Sequence, residues 1–206
     1  VTWGALGDGF DNKSGANSSS VSSSLSSSVS KVFSTGRAFA ALKNDGSVVT
    51  WGSNDYGGDS SSVSSQLQGG VTHIFTTRFA FAALKTNGSL VVWGNSAYGP
   101  GNSTSVNNQL QSGVIDVQST EGAFAALKDN GTIVVWGRSG WGDNIGQITN
   151  SNFTKIVGNK SAFSALKTDG SVVSWGTVNS AGGDNSSVSN QISSNVIDIF
   201  STNYSF

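Results

Sequence analysis

Any chemistry in this chain has to start from very few side chains. His73 is the only histidine, and the 206 residues contain no cysteine. A general base or a zinc ligand needs partners, and no second His and no Cys can supply them. The repeats described below place Lys31, Asp116, Lys155 and Asp198 at the position of His73. That mixture of types points to a structural or solvated side chain. A Ser-His-Asp arrangement would need His73 and one of many serines, none of which sits in a nucleophile elbow. No catalytic residue is assigned, and the chain reads as a non-enzyme.

Other residue types recur at suggestive spacings. Asp59 and Asp184 lie in Gly-Gly-Asp-Ser and Gly-Gly-Asp-Asn segments, with Asp55 close to the first. Calcium needs several oxygen ligands together, and the spacing is not that of an EF-hand. Turn or helix-start capping is the expected role, calcium the alternative, and no other cofactor or metal is implied. Tyr56, Tyr98 and Trp141 each follow a recurring Trp by five residues. They are a candidate partner-binding rim, carbohydrate included, against the plainer expectation of corner aromatics packed on the next repeat. Lys43, Lys85, Lys128 and Lys167 recur before each turn, and a solvated strand end is expected for them.

The elements that position these residues are repeats. Trp-Gly recurs in phase at Trp3, Trp51, Trp93, Trp136 and Trp175. Each of the last four closes one block: AFAALKNDGSVVTWG, AFAALKTNGSLVVWG, AFAALKDNGTIVVWG and AFSALKTDGSVVSWG. The period is about 43 residues, as expected of a repeat architecture. The Asn-Gly or Asp-Gly pairs ending at Gly46, Gly88, Gly131 and Gly170 predict two-residue type I′ hairpin turns. With that turn Lys43 faces Val48, Leu42 faces Val49, and Ala40 faces Trp51. Both faces of the hairpin are largely apolar, so burial on both sides is expected. The expected core is Trp3, Leu42, Trp51, Leu84, Trp93, Leu127, Trp136, Leu166 and Trp175.

A further short strand precedes each hairpin, beginning at Val29, Val71, Val114, Phe153 and Val196, with apolar residues at its first and fourth positions. The Ser/Gly/Asn-rich connection after each Trp-Gly is patterned too. Val63 and Leu67 recur as Val106 and Leu110 and as Val188 and Ile192, which predicts a short strand or helical turn. The fold class is therefore all-β, a tandem array of antiparallel hairpin repeats stabilised by stacking. The approximate units are 1–28 (partial), 29–70, 71–113, 114–152, 153–195 and 196–206 (partial). About nine residues would join 206 to 1 in phase. The expectation from this is one array cut from a longer one.

Composition narrows function by exclusion. Charged residues make up 11% of the chain and the net charge is −1, so there is no basic stripe for nucleic acid. No apolar run approaches the length of a membrane span. Serine is the commonest residue, glycine follows at 27, and methionine is absent. This balance is that of secreted fibres and surface proteins. The expected role is a structural or interaction module outside the cell or on its surface, part of an adhesin, surface layer or filament. Its expected partners are proteins, including its own copies, through exposed strand edges.

Placed end to end, V-x-x-I-F-S-T, A-F-A-A-L-K-x-D-G-S-V-V-T-W-G and S-N-D-Y-G-G resemble the repeat of the regulator of chromosome condensation family, more narrowly bacterial members with Ser-rich loops. The match is closest at Trp51-Gly52-Ser53-Asn54-Asp55-Tyr56-Gly57. The resemblance implies a β-propeller of four-stranded blades, usually seven. It also implies an alternative function, a protein-binding propeller of guanine-nucleotide exchange factor type. The family's Gly-x-x-His has no His here: the matching segments are Gly36-Arg37-Ala38-Phe39, Arg78-Phe79-Ala80-Phe81, Glu121-Gly122-Ala123-Phe124 and Lys160-Ser161-Ala162-Phe163. Five units do not complete a seven-bladed ring, so an open superhelical array is the alternative architecture.

Overall fold

A computed structural model describes residues 17–96, 101–142, 151–177 and 182–206. Trp3 and Tyr98 fall outside them. The chain forms two compact units, residues 1–102 and 103–206.

The first unit holds two three-stranded antiparallel sheets. One is β1 (Val29–Ser34), β2 (Ala38–Lys43) and β3 (Val48–Gly52); the other is β4 (Val71–Thr76), β5 (Ala80–Lys85) and β6 (Leu90–Gly94). The second unit repeats the plan. Its sheets are β7 (Val114–Ser119), β8 (Ala123–Lys128) and β9 (Ile133–Gly137), then β10 (Phe153–Gly158), β11 (Ala162–Lys167) and β12 (Val172–Gly176). The described sheets have three strands where the family resemblance implies four. The connections coil instead into 3₁₀ turns, Ser61–Leu67 and Asn107–Leu110, which bury Leu67 and Leu110.

The hairpin register differs from the expected one by a single residue. Leu42 faces Val48, Ala41 faces Val49, and Phe39 faces Trp51. The loop is three residues long. The Gly46 N–H donates to the Lys43 carbonyl at 3.0 Å, the Lys43 N–H donates to Ser47 at 2.9 Å, and Gly46 alone has positive φ, +77°. This is a type I turn closed by a left-handed glycine. A type I′ turn would need positive φ at Asp45 as well, and Asp45 does not have it. The Asp45 carboxylate accepts from the Ser47 N–H (2.9 Å) and Oγ (2.7 Å), which fixes the loop. Asn87 with Ser89, Asn130 with Thr132, and Asp169 with Ser171 repeat the arrangement.

The one-residue slip exchanges the faces. One face carries Phe39, Ala41, Val49 and Trp51, with the two rings stacked at 5.3 Å. The other carries Ala38, Ala40, Leu42, Val48 and Thr50. Phe81–Trp93, Phe124–Trp136 and Phe163–Trp175 stack in the same way.

The first strand of each sheet is bulged. Val71 pairs with Lys85 and His73 with Leu84, so one residue is extra. Strict alternation would send positions one and four to opposite faces. The bulge turns both Val71 and Ile74 into the core, where they are 4% and 1% exposed. The fifth such segment, Val196–Phe200, was expected as a strand and is not paired as one.

Within each unit, the alanine face of one hairpin packs on the aromatic face of the next. Ala38, Ala40 and Leu42 meet Phe81, Ala83, Val91 and Trp93. Ala123, Ala125, Leu127, Ile133 and Val135 meet Phe163, Ala165, Val173 and Trp175.

The turn predicts a pair of unequal substitutions. Gly131 has φ +73°, and a Cβ there would stand 2.8 Å from the Asn152 nitrogen; Gly140 has φ +81° with open space around it. Gly140→Ala should cost about 1 kcal/mol, the left-handed backbone alone. Gly131→Ala should cost at least about 2 kcal/mol, because the clash adds to that strain. Urea midpoints of the two variants check the order.

Candidate interaction surface

His73 lies half-buried on β4, with its ring 5.4 Å from Phe33 and 4.7 Å from Phe75. Both of these ring neighbours are aromatic. The aspartates are turn caps. Asp59 accepts the Ser61 N–H at 2.9 Å and Asp184 the Ser186 N–H at 2.8 Å, each at the start of a 3₁₀ turn. No group of three or more His, Cys, Asp or Glu side chains that could hold a metal occurs among the described residues.

The rim aromatics Tyr56 and Trp141 sit in loop corners, and Tyr56 also packs on the next repeat, its ring 5.4 Å from that of Phe79. A Cβ on Gly36 would lie 3.1 Å from the Tyr56 ring, and one on Gly122 would lie 3.0 Å from Trp141. The Tyr56 carbonyl accepts from Thr35 Oγ1 at 2.9 Å, and the Trp141 carbonyl from Thr120 Oγ1 at 2.7 Å. Cations lie over these rings: Arg37 is 5.3 Å from Tyr56, and Arg138 is 5.5 Å from Trp141. Lys160 over Tyr204, at 5.3 Å, repeats the pairing. A sugar stacking on Tyr56 or Trp141 would have to displace a guanidinium from a cation–π contact.

Two lysines of the row are tied down as well. Lys85 Nζ donates to the Gln66 carbonyl and Lys128 Nζ to the Gln109 carbonyl, both at 2.7 Å. Each lysine thereby reaches back to the 3₁₀ turn before its sheet. Two of the repeat indoles do the same with glycine, while Trp51 and Trp136 bury Nε1 without a partner among the described residues. Trp93 Nε1 donates to the Gly57 carbonyl at 3.0 Å, and Trp175 Nε1 to the Gly142 carbonyl at 3.1 Å.

Residue-by-residue reading of the sequence left out the threonines that shape the loop between the first two strands. Thr35 donates its N–H to the Ala38 carbonyl and accepts the Ala38 N–H on Oγ1. Thr77 and Thr120 repeat both bonds, and Asn159 substitutes its Oδ1. The signal was present: a Thr or Asn stands three residues before each Ala-Phe.

A cavity of about 400 Å³ with a largely apolar lining lies in the second unit. Ser164, Val172 and Ser174 form its floor, and Gly182, Ile199 and Phe206 part of its walls. On the alanine-type face of β11–β12, Val172 and Ser174 are half-buried here, while Ala162, Ser164 and Leu166 stay buried. Nearby stand three exposed hydrophobics, Ile197 at 94%, Phe200 at 72% and Tyr204 at 55%.

The turn aspartates set a pH dependence. The Ser171 hydroxyl and then its N–H hold the Asp169 carboxyl below the ordinary carboxylate value, and Ser47 does the same for Asp45. A depressed folded pKa gives stability that is present above the unfolded value of about 4 and is lost as pH falls through the folded one. Asn87 and Asn130 accept the same bonds without titrating. Asp45→Asn combined with Asp169→Asn should therefore flatten the acid limb of the stability curve and leave neutral pH nearly unchanged. Urea unfolding from pH 7 down to acid reads this directly.

No family model and no curated protein matches the chain. Solved structures do. Yeast RCC1 (Prp20), in a crystal structure bound to Kap60, is 17% identical at a TM-score of 0.50, over 72% of this chain and 43% of that one. Human WBSCR16 is 19% identical at a TM-score of 0.49, over 72% and 47%. The ectodomain of the Arabidopsis thaliana receptor kinase ACR4 is 14% identical at 0.47, over 72% and 49%. The chain spans less than half the length of each. At such identities the likeness concerns fold alone, and what it gives is an all-β, propeller-like array of RCC1-type repeats.

Proposed function

We propose that the chain is a non-enzymatic structural and interaction module, displayed outside the cell as part of an adhesin, surface layer or filament. Its partners are proteins, its own copies among them. The observation that carries this reading is the use to which its recurring side chains are put. Among the described residues, recurring Trp, Phe, Lys, Asp and Thr side chains serve repeat-to-repeat or loop contacts. The contact between hairpins is also not self-complementary. An alanine face meets an aromatic face, and contacts of that kind propagate unless a ring closes them.

A protein-binding propeller of exchange-factor type is the second reading, prompted by the fold shared with yeast RCC1. It requires a stable complex with a small GTPase, which the first does not.

Two measurements test the proposal. Light scattering and electron microscopy over rising concentration should show rings, filaments or larger particles, and a strictly monomeric particle at high concentration overturns self-association. An antibody against the chain should label intact source cells. Labelling only after lysis overturns the placement outside the cell.

A further inference from the structure

The hairpin turns carry a reaction as well as a register. Both Asn-Gly pairs of the chain, Asn87-Gly88 and Asn130-Gly131, occupy the loop where the other two repeats have Asp45-Gly46 and Asp169-Gly170. Asparagine before glycine is open to self-modification. Glycine has no side chain to shield its backbone nitrogen, and the asparagine Cγ is one five-membered ring closure away from it. A base takes the proton from the glycine nitrogen, the nitrogen bonds to Cγ, and the side-chain nitrogen leaves as ammonia. Water then opens the cyclic imide. Attack at Cγ gives aspartate. Attack at the backbone carbonyl carbon gives isoaspartate, whose main chain runs through Cγ. No electrons are exchanged, and water is the co-reactant.

The folded turn holds both reacting groups elsewhere. The Gly88 N–H donates to the Lys85 carbonyl and the Gly131 N–H to the Lys128 carbonyl, each at 2.9 Å. The proton that must leave is thus engaged. Oδ1 of Asn87 accepts from the Ser89 N–H at 3.1 Å and from its Oγ at 2.7 Å, and Oδ1 of Asn130 accepts from Thr132 N–H and Oγ1 at the same distances. Ring closure needs the reacting atoms brought into line, and here these bonds must break first. Exclusion of water is not what protects the pair, since Asn87 and Asn130 are both exposed.

The fold treats the two products differently. Aspartate is already the turn residue at Asp45 and Asp169, where it accepts the same two bonds from Ser47 and Ser171. Isoaspartate adds one atom to the main chain of a three-residue loop. At Asn130 that loop has no room. The Gly131 carbonyl accepts from the Phe153 N–H at 3.0 Å, and a Cβ on Gly131 would stand 2.8 Å from the Asn152 nitrogen. A lengthened turn loses this bond between the two sheets of the second unit.

We propose that Asn87 and Asn130 are latent deamidation sites, held unreacted by the hydrogen bonds of their own turns and converted when a turn opens. Aspartate leaves the repeat intact. Isoaspartate at position 130 loosens the contact between β7–β9 and β10–β12, so that a single opening of the turn leaves a lasting change.

The test keeps the whole chain at mildly alkaline pH, folded and in concentrated urea. Peptide mapping by mass spectrometry reads conversion at each site, and labelling by an isoaspartyl methyltransferase reads the isoaspartate share. Conversion should be at least about tenfold slower in the folded chain, because only the open fraction reacts. Ser89→Ala and Thr132→Val each remove one hydroxyl donor. Each should speed conversion of the folded chain about fivefold at its own turn and leave the rate in urea unchanged. Chains converted in urea and returned to buffer should regain the original urea midpoint where the product at 130 is aspartate, and a lower one where it is isoaspartate. Equal rates in folded and unfolded chains overturn the proposal. So does a variant that leaves the folded rate unchanged, or that speeds both turns alike, which would mean global unfolding and not release of one turn.

Discussion

The structure depends on one steric constraint, that a stacked Phe–Trp pair nests against a face cleared by small alanines. Ala38, Ala40, Ala123 and Ala125 are fully buried beneath the next hairpin. A larger side chain at any of them would push the aromatic face outward, and interiors packed at crystal density accommodate even one methylene poorly. The three-residue turn is what makes the constraint work. By pairing Phe39 with Trp51 it gathers both large rings on one face and leaves the other for alanine and the branched residues. The expected two-residue turn would have divided the rings between faces and left neither able to nest.

Given that nesting, the polar contacts fix the relation of each sheet to the next. In both units they bracket the apolar contact at its ends. At the turn end, a strand N–H reaches the preceding turn glycine, Val71 to Gly46 and Phe153 to Gly131, and in the first unit Lys85 reaches a 3₁₀ carbonyl. At the other end, the loop N–H of Gly36 donates to Arg78 and that of Glu121 to Lys160. A net hydrogen bond is worth about 1 kcal/mol, and burial of a Phe or Trp more. Stability therefore comes from the aromatic contact, while the bonds at its two ends set angle and register. This division suits a repeat, since the apolar contact alone would allow sliding.

Much of this was legible in the sequence because repetition exposes it. Strand boundaries, the turn glycines, the buried tryptophans and the patterned connection all follow from aligning the chain with itself. The register did not, for a local reason. Asp-Gly and Asn-Gly mark two-residue and three-residue loops alike, and the residues that decide between them lie outside the pair. Here Ser47, Ser89, Thr132 and Ser171 follow the glycine, and each donates to the Asx carboxylate or amide. That Asx–Gly–Ser/Thr triad favours the type I turn. The spacing of apolar residues one and four in the first strand was equally a clue, since only a bulge reconciles it with a strand. The rim reading met a different limit: spacing put Tyr56 and Trp141 on equivalent corners, but not the arginines over them.

The residues that vary between repeats carry what information the array has beyond stacking. Position three of the first strand holds Lys31, His73, Asp116, Lys155 and Asp198. It sits at the bulge, where a side chain is freed from the core. Where two such positions from successive repeats are paired, they are complementary: Lys155 forms an ion pair with Asp198, which holds that carboxyl below its ordinary value. Exposed pairs of this kind add little stability. They penalise wrong neighbours, because two like charges in adjacent repeats would face each other. The hairpins, nearly identical, would stack in any order. The first strands, which differ, supply the discrimination that the shared core lacks.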